Sequence, residues 1–511
     1  MKHSQKKTIV LNTVALFASQ GWIVVLSLLV LPYIVNSLGK EPYALLSLSF
    51  VVVGYMGFLD LGLGSALTKF ISEYHAKGDS AKINSIVTTS LTIFLIMGCV
   101  GGTSLFLLSQ FLVENVFKVT AEFKNTALHV LYITSIGLSF VLLKNYSNAI
   151  PSGFQRITIV SGCDAFFNSL KLLLTIALIF LGYGIFEIVF GSVVLTLLGA
   201  ITVIIFTKKA YPSLSIRPGF DKGVALELLR YGMPLSLAAV TSNAIIHLDK
   251  FMITVFLPFT SLAYYTVAYD ISSRLWYIPN NIMRAFFPVF SKYHAMRDKE
   301  RLKKYYLSAF KYVVIGSTFV AVLLAAFGNE ILQYWINPDY AVHGRVTLQI
   351  LAIGLLMSCY ACVPFSLVTA CGFSRVVAKV HILIAVINLA LCVLLIPLVG
   401  IEGAAFAWLI EHIIDLLILL HVVKARIVSV GLTEYVKKIF ARPVFLSCIL
   451  VLAGKYISIC FLSSLGDLLI VCLVLSAGYL LLGYVFLLNK DERQVVTIGL
   501  SNAFGKLRFC Q

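Results

Sequence analysis

Long uninterrupted runs of apolar residues, separated by short polar connections, occupy almost the whole of this sequence. A helix needs roughly 20 such residues to cross the hydrocarbon core of a bilayer, and backbone groups in lipid must satisfy their hydrogen bonds internally. Only 12% of the 511 residues are charged, against about 25% in soluble domains. The runs do not alternate in polarity, as the strands of a membrane barrel would. The sequence therefore predicts an all-α polytopic membrane protein.

Turn signals and polar residues divide the chain into about fourteen predicted transmembrane helices. Three lysines precede the first apolar run, as in a signal peptide, but that run is too long and no A-x-A-like cleavage site ends it. We interpret it as a retained first helix. The predicted helices lie near residues 10–35, 44–66, 86–112, 126–149, 157–181, 185–206, 231–257, 262–289, 305–327, 346–370, 376–398, 402–422, 443–463 and 466–488.

Lysine and arginine residues concentrate in every second connection between these helices, for example in 208–230 and 297–304. By the positive-inside rule, those connections and both termini are cytoplasmic. The same asymmetry accounts for most of the formal net charge of +17, and attraction to anionic membrane lipids explains it without a nucleic-acid partner. Cys359 and Cys362 form the one close cysteine pair, but no second pair or histidine spacing accompanies them, so core packing is expected rather than a metal site.

An internal repeat divides the chain. The segment "FISEYHAKGD" at 70–79 matches "VFSKYHAMRD" at 289–298, and the same offset aligns "GFQR" at 153–156 with "GFSR" at 372–375. Two matches in one register favour duplication, and parallel six-helix repeats in transporters place the substrate in a cleft between the halves. We predict a V-shaped central cavity and three parts. They are an N-terminal six-helix lobe over 1–210, a C-terminal six-helix lobe over 211–425, and two extra helices with a cytoplasmic tail over 426–511.

Polar side chains recur at steps of three and four on several predicted helices, which places them on single helix faces. These faces are Asp164, Asn168 and Lys171; Asn243, His247 and Lys250; and Asp270, Arg274, Tyr277, Asn281 and Arg284. Ionisable groups in the bilayer cost at least about 2.5 kcal/mol each, so they face partners or a wet cavity. Basic residues exceed nearby acids, which favours a cationic cavity for an anionic substrate group such as a phosphate. The substrate-binding candidates are Lys171, Lys250, Arg274, Arg284, Asn281, Asn243 and His247.

A simpler explanation applies to individual residues of these faces. Asp270 and Arg274 are spaced to neutralise each other, and Arg284 and Lys144 lie near enough to the cytoplasmic ends of their helices to snorkel. Lys250 could likewise reach the outer interface. For the whole set, a cavity is the favoured interpretation.

Several acidic residues are candidates for coupling to a proton or a sodium ion. Glu411 and Asp415, with His412 between them, lie one helical turn apart, where two carboxylates tend to share a proton; they could equally serve as counter-ions to the basic faces. Asp60 lies in "FLDLGLG", whose glycines permit close packing or local unwinding. The ion-coupling candidates are Asp60, Asp164, Asp270, Glu411 and Asp415.

The segments "NSLGKEPYALLSL" and "FLDLGLGSALTKFISEYHAKGD", together with "YGMPLSLAAVTSNAIIHLDKFMI" and "IPLVGIEGAAFAWLI", resemble the Wzx-type polysaccharide flippases of the MOP exporter superfamily. The resemblance covers nearly the whole chain, although the motifs are loose. It implies a bacterial inner-membrane protein, without a cofactor, that moves undecaprenyl-pyrophosphate-linked oligosaccharide to the periplasmic leaflet by ion-coupled alternating access. It implies the lipid-linked oligosaccharide and membrane lipids as partners, and a glycan polymerase and chain-length regulator as further candidates.

Three alternatives stay open. A lipid II flippase would also need cationic residues for a polyprenyl diphosphate, whereas a multidrug exporter of the same superfamily would favour acids for cationic drugs. A membrane oligosaccharide polymerase or ligase would be expected to carry a large periplasmic loop, and no outward connection is long enough. The sequence also contains no G-x-x-x-x-G-K-[ST] phosphate-binding loop. A transporter rather than an enzyme is therefore the prediction.

Overall fold

A computed structural model describes the backbone of residues 2–458, 462–490 and 492–494, and their side chains except at 2–19, 55–58, 234–246, 432, 438 and 457–458. Regular structure in the described residues is helical. The α-helices are α1 (Lys2–Leu38), α2 (Lys40–Met56), α3 (Leu63–Lys77), α4 (Ser80–Phe111), α5 (Lys124–Gly153), α6 (Ile157–Phe180), α7 (Ile185–Ala210), α8 (Lys222–Phe256), α9 (Thr260–Ser273), α10 (Tyr277–Ala295), α11 (Lys299–Glu330), α12 (Pro338–Ala370), α13 (Ser374–Val399), α14 (Ile401–Arg426), α15 (Leu432–Tyr435), α16 (Ala441–Ser458) and α17 (Leu465–Phe486).

Among the described residues, 10 helical segments are long and apolar enough to cross a membrane. Each predicted range falls on a helix or on two consecutive helices. The all-α, multi-pass membrane fold is therefore confirmed, while the total of about fourteen crossing helices stays a prediction.

The predicted helix over 44–66 is not continuous. The chain leaves α2 through a 3-10 turn at Gly57–Asp60, and α3 begins only at Leu63. Leu61 and Gly62 have φ values of 50° and 66°, in the left-handed region that an α-helix does not use. A Cβ atom on Gly62 would lie 2.2 Å from the carbonyl oxygen of Gly232 in α8, so the two backbones meet without room for a side chain. The break places Asp60 at the start of α3 rather than inside a helix.

The predicted helix over 262–289 is also interrupted. A 3-10 turn at Arg274–Trp276 separates α9 from α10. Pro279 lies in the first turn of α10, where its ring nitrogen has no hydrogen to donate to the carbonyl of Leu275. A proline is tolerated in the first turn of a helix, so this position is compatible with a new helix that begins at Tyr277. The polar face predicted from Asp270 to Arg284 is therefore not one straight helical stripe.

Contacts between α-carbons group the chain into two compact units. Unit 1 comprises Met1–Val267 with Ala385–Ala404, and unit 2 comprises Ala268–Ile384 with Ala405–Gln511. The bounds of the lobes predicted at 1–210 and 211–425 come from the sequence repeat, whereas the bounds of these units come from contacts between α-carbons. The two lobes stay a prediction.

Packing within unit 1 gives α5 one apolar and one polar face. Tyr146 on α5 is fully buried against Phe94 of α4, with ring centroids 5.8 Å apart, and its hydroxyl donates to the carbonyl of Val87 at 3.2 Å. Burying this face directs Lys144 and Asn148 elsewhere, because residues two positions away on a helix point to other sides.

The two matching segments carry the same local features. Asp79 accepts a hydrogen bond from the Lys82 amide at 2.9 Å at the start of α4, and Asp298 caps α11 in the same way through the Arg301 amide at 3.0 Å. Both helices have 32 residues, and a π-helical turn follows each one, at Leu112–Val116 and Ile331–Ile336. The duplication stays a prediction, which these recurring features support.

Candidate functional site

Three helices of unit 1 enclose a cavity of about 210 Å³ that contains two lysines. The polar residues predicted on one face of α6, namely Asp164, Asn168 and Lys171, all line it, because spacings of four and seven residues return to the same side of a helix. The walls opposite are formed by α5 and α7. The other lining residues are Val141, Lys144, Asn148, Phe167, Leu195, Thr196 and Gly199. We call this cavity the cationic pocket.

The charges in the cationic pocket do not cancel. Lys144 Nζ lies 3.1 Å from Asp164 Oδ1, so Lys144 pairs inside the pocket instead of snorkelling to the interface. Lys171 Nζ donates to Thr196 Oγ1 at 2.8 Å, and within the described part of the chain no carboxylate lies within 4.0 Å of it. One acid and two ammonium groups leave the pocket with a surplus positive charge.

A second, larger cavity of about 540 Å³ adjoins the cationic pocket, since Asn148 lines both. We call it the α3–α5 groove. The Gly64 amide donates to Asp60 Oδ1 at 2.9 Å, and Asn145 lines the same cavity. The groove is lined by Asp60, Gly64, Ser65, Thr68, Lys69, Asn145, Asn148, Ala149 and Ser152. Of the sequence candidates, Asp60 and Asp164 therefore lie in adjoining cavities.

The candidates on α8 form a separate polar cluster in unit 1. Lys250 is buried at 7% exposure, so it does not extend freely to an interface, and His247 packs against Gly54. Asp249 is fully buried and accepts hydrogen bonds from the Tyr265 hydroxyl and from the Lys250 amide. The side chain of Asn243 lies outside the described residues.

The remaining basic candidates belong to unit 2. Arg274 is half-buried in the 3-10 turn, and its Nε atom is buried without a hydrogen-bond partner among the described residues. Asn281 is half-buried on α10, and Arg284 is exposed. Asp270, at the end of α9, is half-buried. No ion pair joins Arg274 to Asp270 in the described structure, so the mutual neutralisation that their spacing suggested is not observed.

Glu411, His412 and Asp415 form a polar cluster on α14 in unit 2, in which Glu411 and His412 are buried and Asp415 is half-buried. His412 Nδ1 lies 2.5 Å from Glu411 Oε2 and 3.1 Å from the carbonyl oxygen of Trp408. The His412 ring stacks on Trp408 with centroids 4.4 Å apart, and Trp408 also packs edge-on against Tyr269. Glu411 and His412 are 3% and 6% exposed, so the carboxylate and imidazole pair with each other rather than with water.

Sequence reasoning missed the groove amides and Asp249. Asn145 and Asn148 stand at i and i+3 on α5, the spacing that identified the other polar faces. Asp249 stands next to Lys250 in "HLDK", where an acid inside a long helix could have identified it.

Residues 9–294 of this chain, more than half of its length, match a protein family described as "Polysaccharide biosynthesis protein". The chain belongs to this polysaccharide biosynthesis family. A relative from Shigella flexneri, described as a putative O-antigen transporter, is 23% identical over 392 residues, which cover 76% of this chain and 91% of the relative.

Solved structures share the fold of this family member. The lipid II flippase MurJ in an inward closed conformation superimposes with a TM-score of 0.72 at 17% identity, over 93% of this chain and 98% of that one. A multidrug resistance MATE transporter of the MOP superfamily, in an inward-facing conformation, gives a TM-score of 0.71 at 16% identity, over 79% and 94%. The family member thus has the fold seen in MOP-superfamily transporters. The relative and the two solved proteins are described as transporters or as a flippase, not as enzymes.

Proposed function

We propose that this transporter is a flippase for undecaprenyl-pyrophosphate-linked oligosaccharide. It moves its substrate from the cytoplasmic to the periplasmic leaflet of the bacterial inner membrane by ion-coupled alternating access, with both termini in the cytoplasm. The observation that carries the proposal is the surplus positive charge of the cationic pocket. Membership of the polysaccharide biosynthesis family and the description of the Shigella flexneri relative support the glycan cargo. A glycan polymerase and a chain-length regulator are the expected partners.

The cationic pocket suits a diphosphate on physical grounds. An ammonium group buried at membrane depth is costly unless a partner compensates it, and Lys171 has only the neutral hydroxyl of Thr196. Phosphate oxygens accept charge-assisted hydrogen bonds, which are roughly twice as strong as neutral ones. Asp164 holds Lys144 in place at 3.1 Å without cancelling Lys171. A cationic drug would be repelled by this surplus positive charge, which argues against multidrug export.

Ion coupling is assigned to the α14 cluster. Glu411, His412 and Asp415 offer two carboxylates and an imidazole in a buried setting, where adding or removing a proton changes the net charge without solvent to compensate. Protonation on one side of the membrane and release on the other would then drive the conformational cycle. Na⁺ is the alternative coupling ion.

The test is complementation of a strain that lacks its O-antigen flippase. Lys171→Ala and Arg274→Ala are each expected to abolish surface glycan while leaving the amount of protein in the membrane unchanged. Lys209→Ala, at an exposed position near the end of α7, is the matched control and should complement fully. Normal surface glycan in both the Lys171 and Arg274 variants would refute the role of the cationic residues.

Lipid II is a second candidate cargo, favoured by the extent of the structural match to the lipid II flippase. Both cargoes present a polyprenyl diphosphate, so the cationic pocket does not separate them. Complementation of a strain depleted of its lipid II flippase separates the two cargoes. If the chain rescues growth of that strain but does not restore surface O-antigen in the flippase-deficient strain, its cargo is lipid II.

A further inference from the structure

The α3–α5 groove differs from the cationic pocket in its chemistry. Apart from the Lys69 ammonium at one edge and the methyl group of Ala149, its side chains are amides, hydroxyls and one carboxylate. The Gly64 amide donates to Asp60 Oδ1 at 2.9 Å, which fixes the carboxylate, and Asn145 lines the same groove. Asn148 Oδ1 is buried without a hydrogen-bond partner among the described residues. The groove therefore presents several acceptors.

A ligand that matches these acceptors must supply many hydrogen-bond donors. A buried acceptor without a hydrogen-bond donor costs free energy, so the site favours a ligand that donates a hydrogen bond to that acceptor. Phosphate oxygens only accept hydrogen bonds and would be repelled by the Asp60 carboxylate. Sugar hydroxyls can both donate and accept, which suits a surface where Asn145, Asn148 and Ser152 accept and Ser65 and Lys69 donate, the Ser152 hydroxyl hydrogen being bonded to the backbone carbonyl of Asn148.

The position of the groove provides a second argument. The first sugar of a lipid-linked glycan is bonded directly to the diphosphate, so the sites for these two groups must touch. Asn148 lines both cavities. From Lys144 in the pocket to Ser152 in the groove, α5 rises about 12 Å at 1.5 Å per residue. The two sites thus follow each other along one helix.

The size and rigidity of the groove also fit a sugar. Its volume of about 540 Å³ lies within the range of roughly 300–1,000 Å³ typical of small-molecule sites, whereas the cationic pocket, at about 210 Å³, is smaller. Lys69 Nζ lies over the rings of Phe70 and Tyr231, 4.1 Å and 4.3 Å from their centroids. These contacts hold the ammonium group at the edge of the groove.

We propose that the α3–α5 groove is the subsite for the first sugar of the lipid-linked glycan, with Asn145, Asn148 and Asp60 accepting hydrogen bonds from its hydroxyls while the diphosphate occupies the cationic pocket. This subsite rests on the proposed function. The transporter would then distinguish its substrates by the sugar that is bonded to the diphosphate, rather than by the sugars further along the glycan.

The test uses the full-length chain in lipid nanodiscs and three probes: a polyprenyl diphosphate without sugar, and the same lipid carrying one hexose or one N-acetylhexosamine. Isothermal titration calorimetry measures the three affinities. The wild-type chain should bind at least one sugar-bearing lipid about tenfold more tightly than the bare lipid, as one to two hydrogen bonds would give. Asn145→Leu should remove about three- to tenfold of that advantage and leave the bare lipid unaffected.

Two further variants keep the result interpretable. Asn115→Leu makes the same change at an exposed amide outside the groove and should keep the full sugar advantage. Ser65→Ala, at an exposed position on α3, should reproduce the selective loss while leaving Asn145 and Asp60 unchanged. Lys171→Ala should weaken all three lipids.

The possible failures are distinct. Equal wild-type affinity for the three lipids would overturn the sugar subsite while leaving the flippase proposal intact. Failure of the wild-type chain to bind any of them would overturn the proposed function together with the subsite. If Asn145→Leu keeps the sugar advantage but changes the Na⁺ dependence of binding, the groove is a cation site and the inference is wrong.

Discussion

Replacing Gly62 by alanine tests the helix break that places Asp60 in the α3–α5 groove. Two costs combine at this position. A non-glycine residue in the left-handed region costs about 1–2 kcal/mol, and Gly62 has a φ of 66°. The added Cβ would also lie 2.2 Å from the Gly232 carbonyl oxygen, where contacts under 3.0 Å essentially never occur. Overpacking of this kind costs about 1–3 kcal/mol, so the expected loss of stability is about 2–5 kcal/mol.

A matched glycine separates the two costs. Gly182 has a φ of 81°, and nothing lies within 4 Å of the position that an added Cβ atom would take, so Gly182→Ala should lose only the backbone contribution of about 1–2 kcal/mol. Gly162, inside α6 and also in open space, should tolerate alanine without loss, because alanine favours the helix by about 1 kcal/mol.

The assay is thermal unfolding of the purified variants in one detergent, with the same variants tested for surface glycan. The unfolding midpoint should fall in the order Gly162→Ala, Gly182→Ala, Gly62→Ala, and only Gly62→Ala should also lose transport. Equal midpoints for Gly62→Ala and Gly182→Ala would show that the contact with Gly232 does not constrain the chain, and the reasoning would be refuted.

Three other predictions concern paired charges. Lys144→Gln should destabilise the protein by about 1–3 kcal/mol because it leaves Asp164 unpaired. Adding Asp164→Asn should restore the thermal midpoint but not transport. A double variant no more stable than Lys144→Gln alone would contradict this prediction. Lys455 Nζ lies 2.5 Å from Glu330 Oε1, so Lys455→Met should lower the midpoint and Glu330→Gln should partly restore it in the double variant. Burial raises the pKa of Glu492, but hydrogen bonds from two α11 side chains and a backbone amide outweigh it and leave the pKa below 4.5. This contribution to stability is present above the unfolded pKa and is lost as pH falls through the folded pKa, so Glu492→Gln should lower the midpoint at neutral pH, and its effect should disappear once the pH is below the folded pKa.

Sequence predicted what depends on neighbours along one helix. The apolar runs determine the helices, and the spacing of Asp164, Asn168 and Lys171 determines that they share a face, because both properties are local. What those residues meet depends on the packing of other helices. The ion pair between Lys144 and Asp164 and the hydrogen bond from Lys171 to Thr196 join different helices, and no spacing within one helix predicts them.

The helix breaks show the same limit. The glycines of "FLDLGLG" predicted that the chain could unwind there, but the place and sharpness of the break follow from the approach of the Gly62 and Gly232 backbones, which are far apart in sequence. At the second break, Pro279 lies in the first turn of α10, but Pro288 and Pro364 lie inside continuous helices, so a proline alone does not locate a break in the predicted range of 262–289.

The pairing of charges in the cationic pocket has an electrical consequence. Lys144, Lys171 and Asp164 together carry one net positive charge when the pocket is empty, and a bound diphosphate reverses that sign. If the pocket opens alternately to the two sides, the loaded and empty forms cross the membrane field with opposite charge. Moving one elementary charge through 100 mV corresponds to about 2.3 kcal/mol. A potential negative inside would then favour outward movement of the loaded form and inward return of the empty one, so membrane voltage itself would help to set the direction of transport.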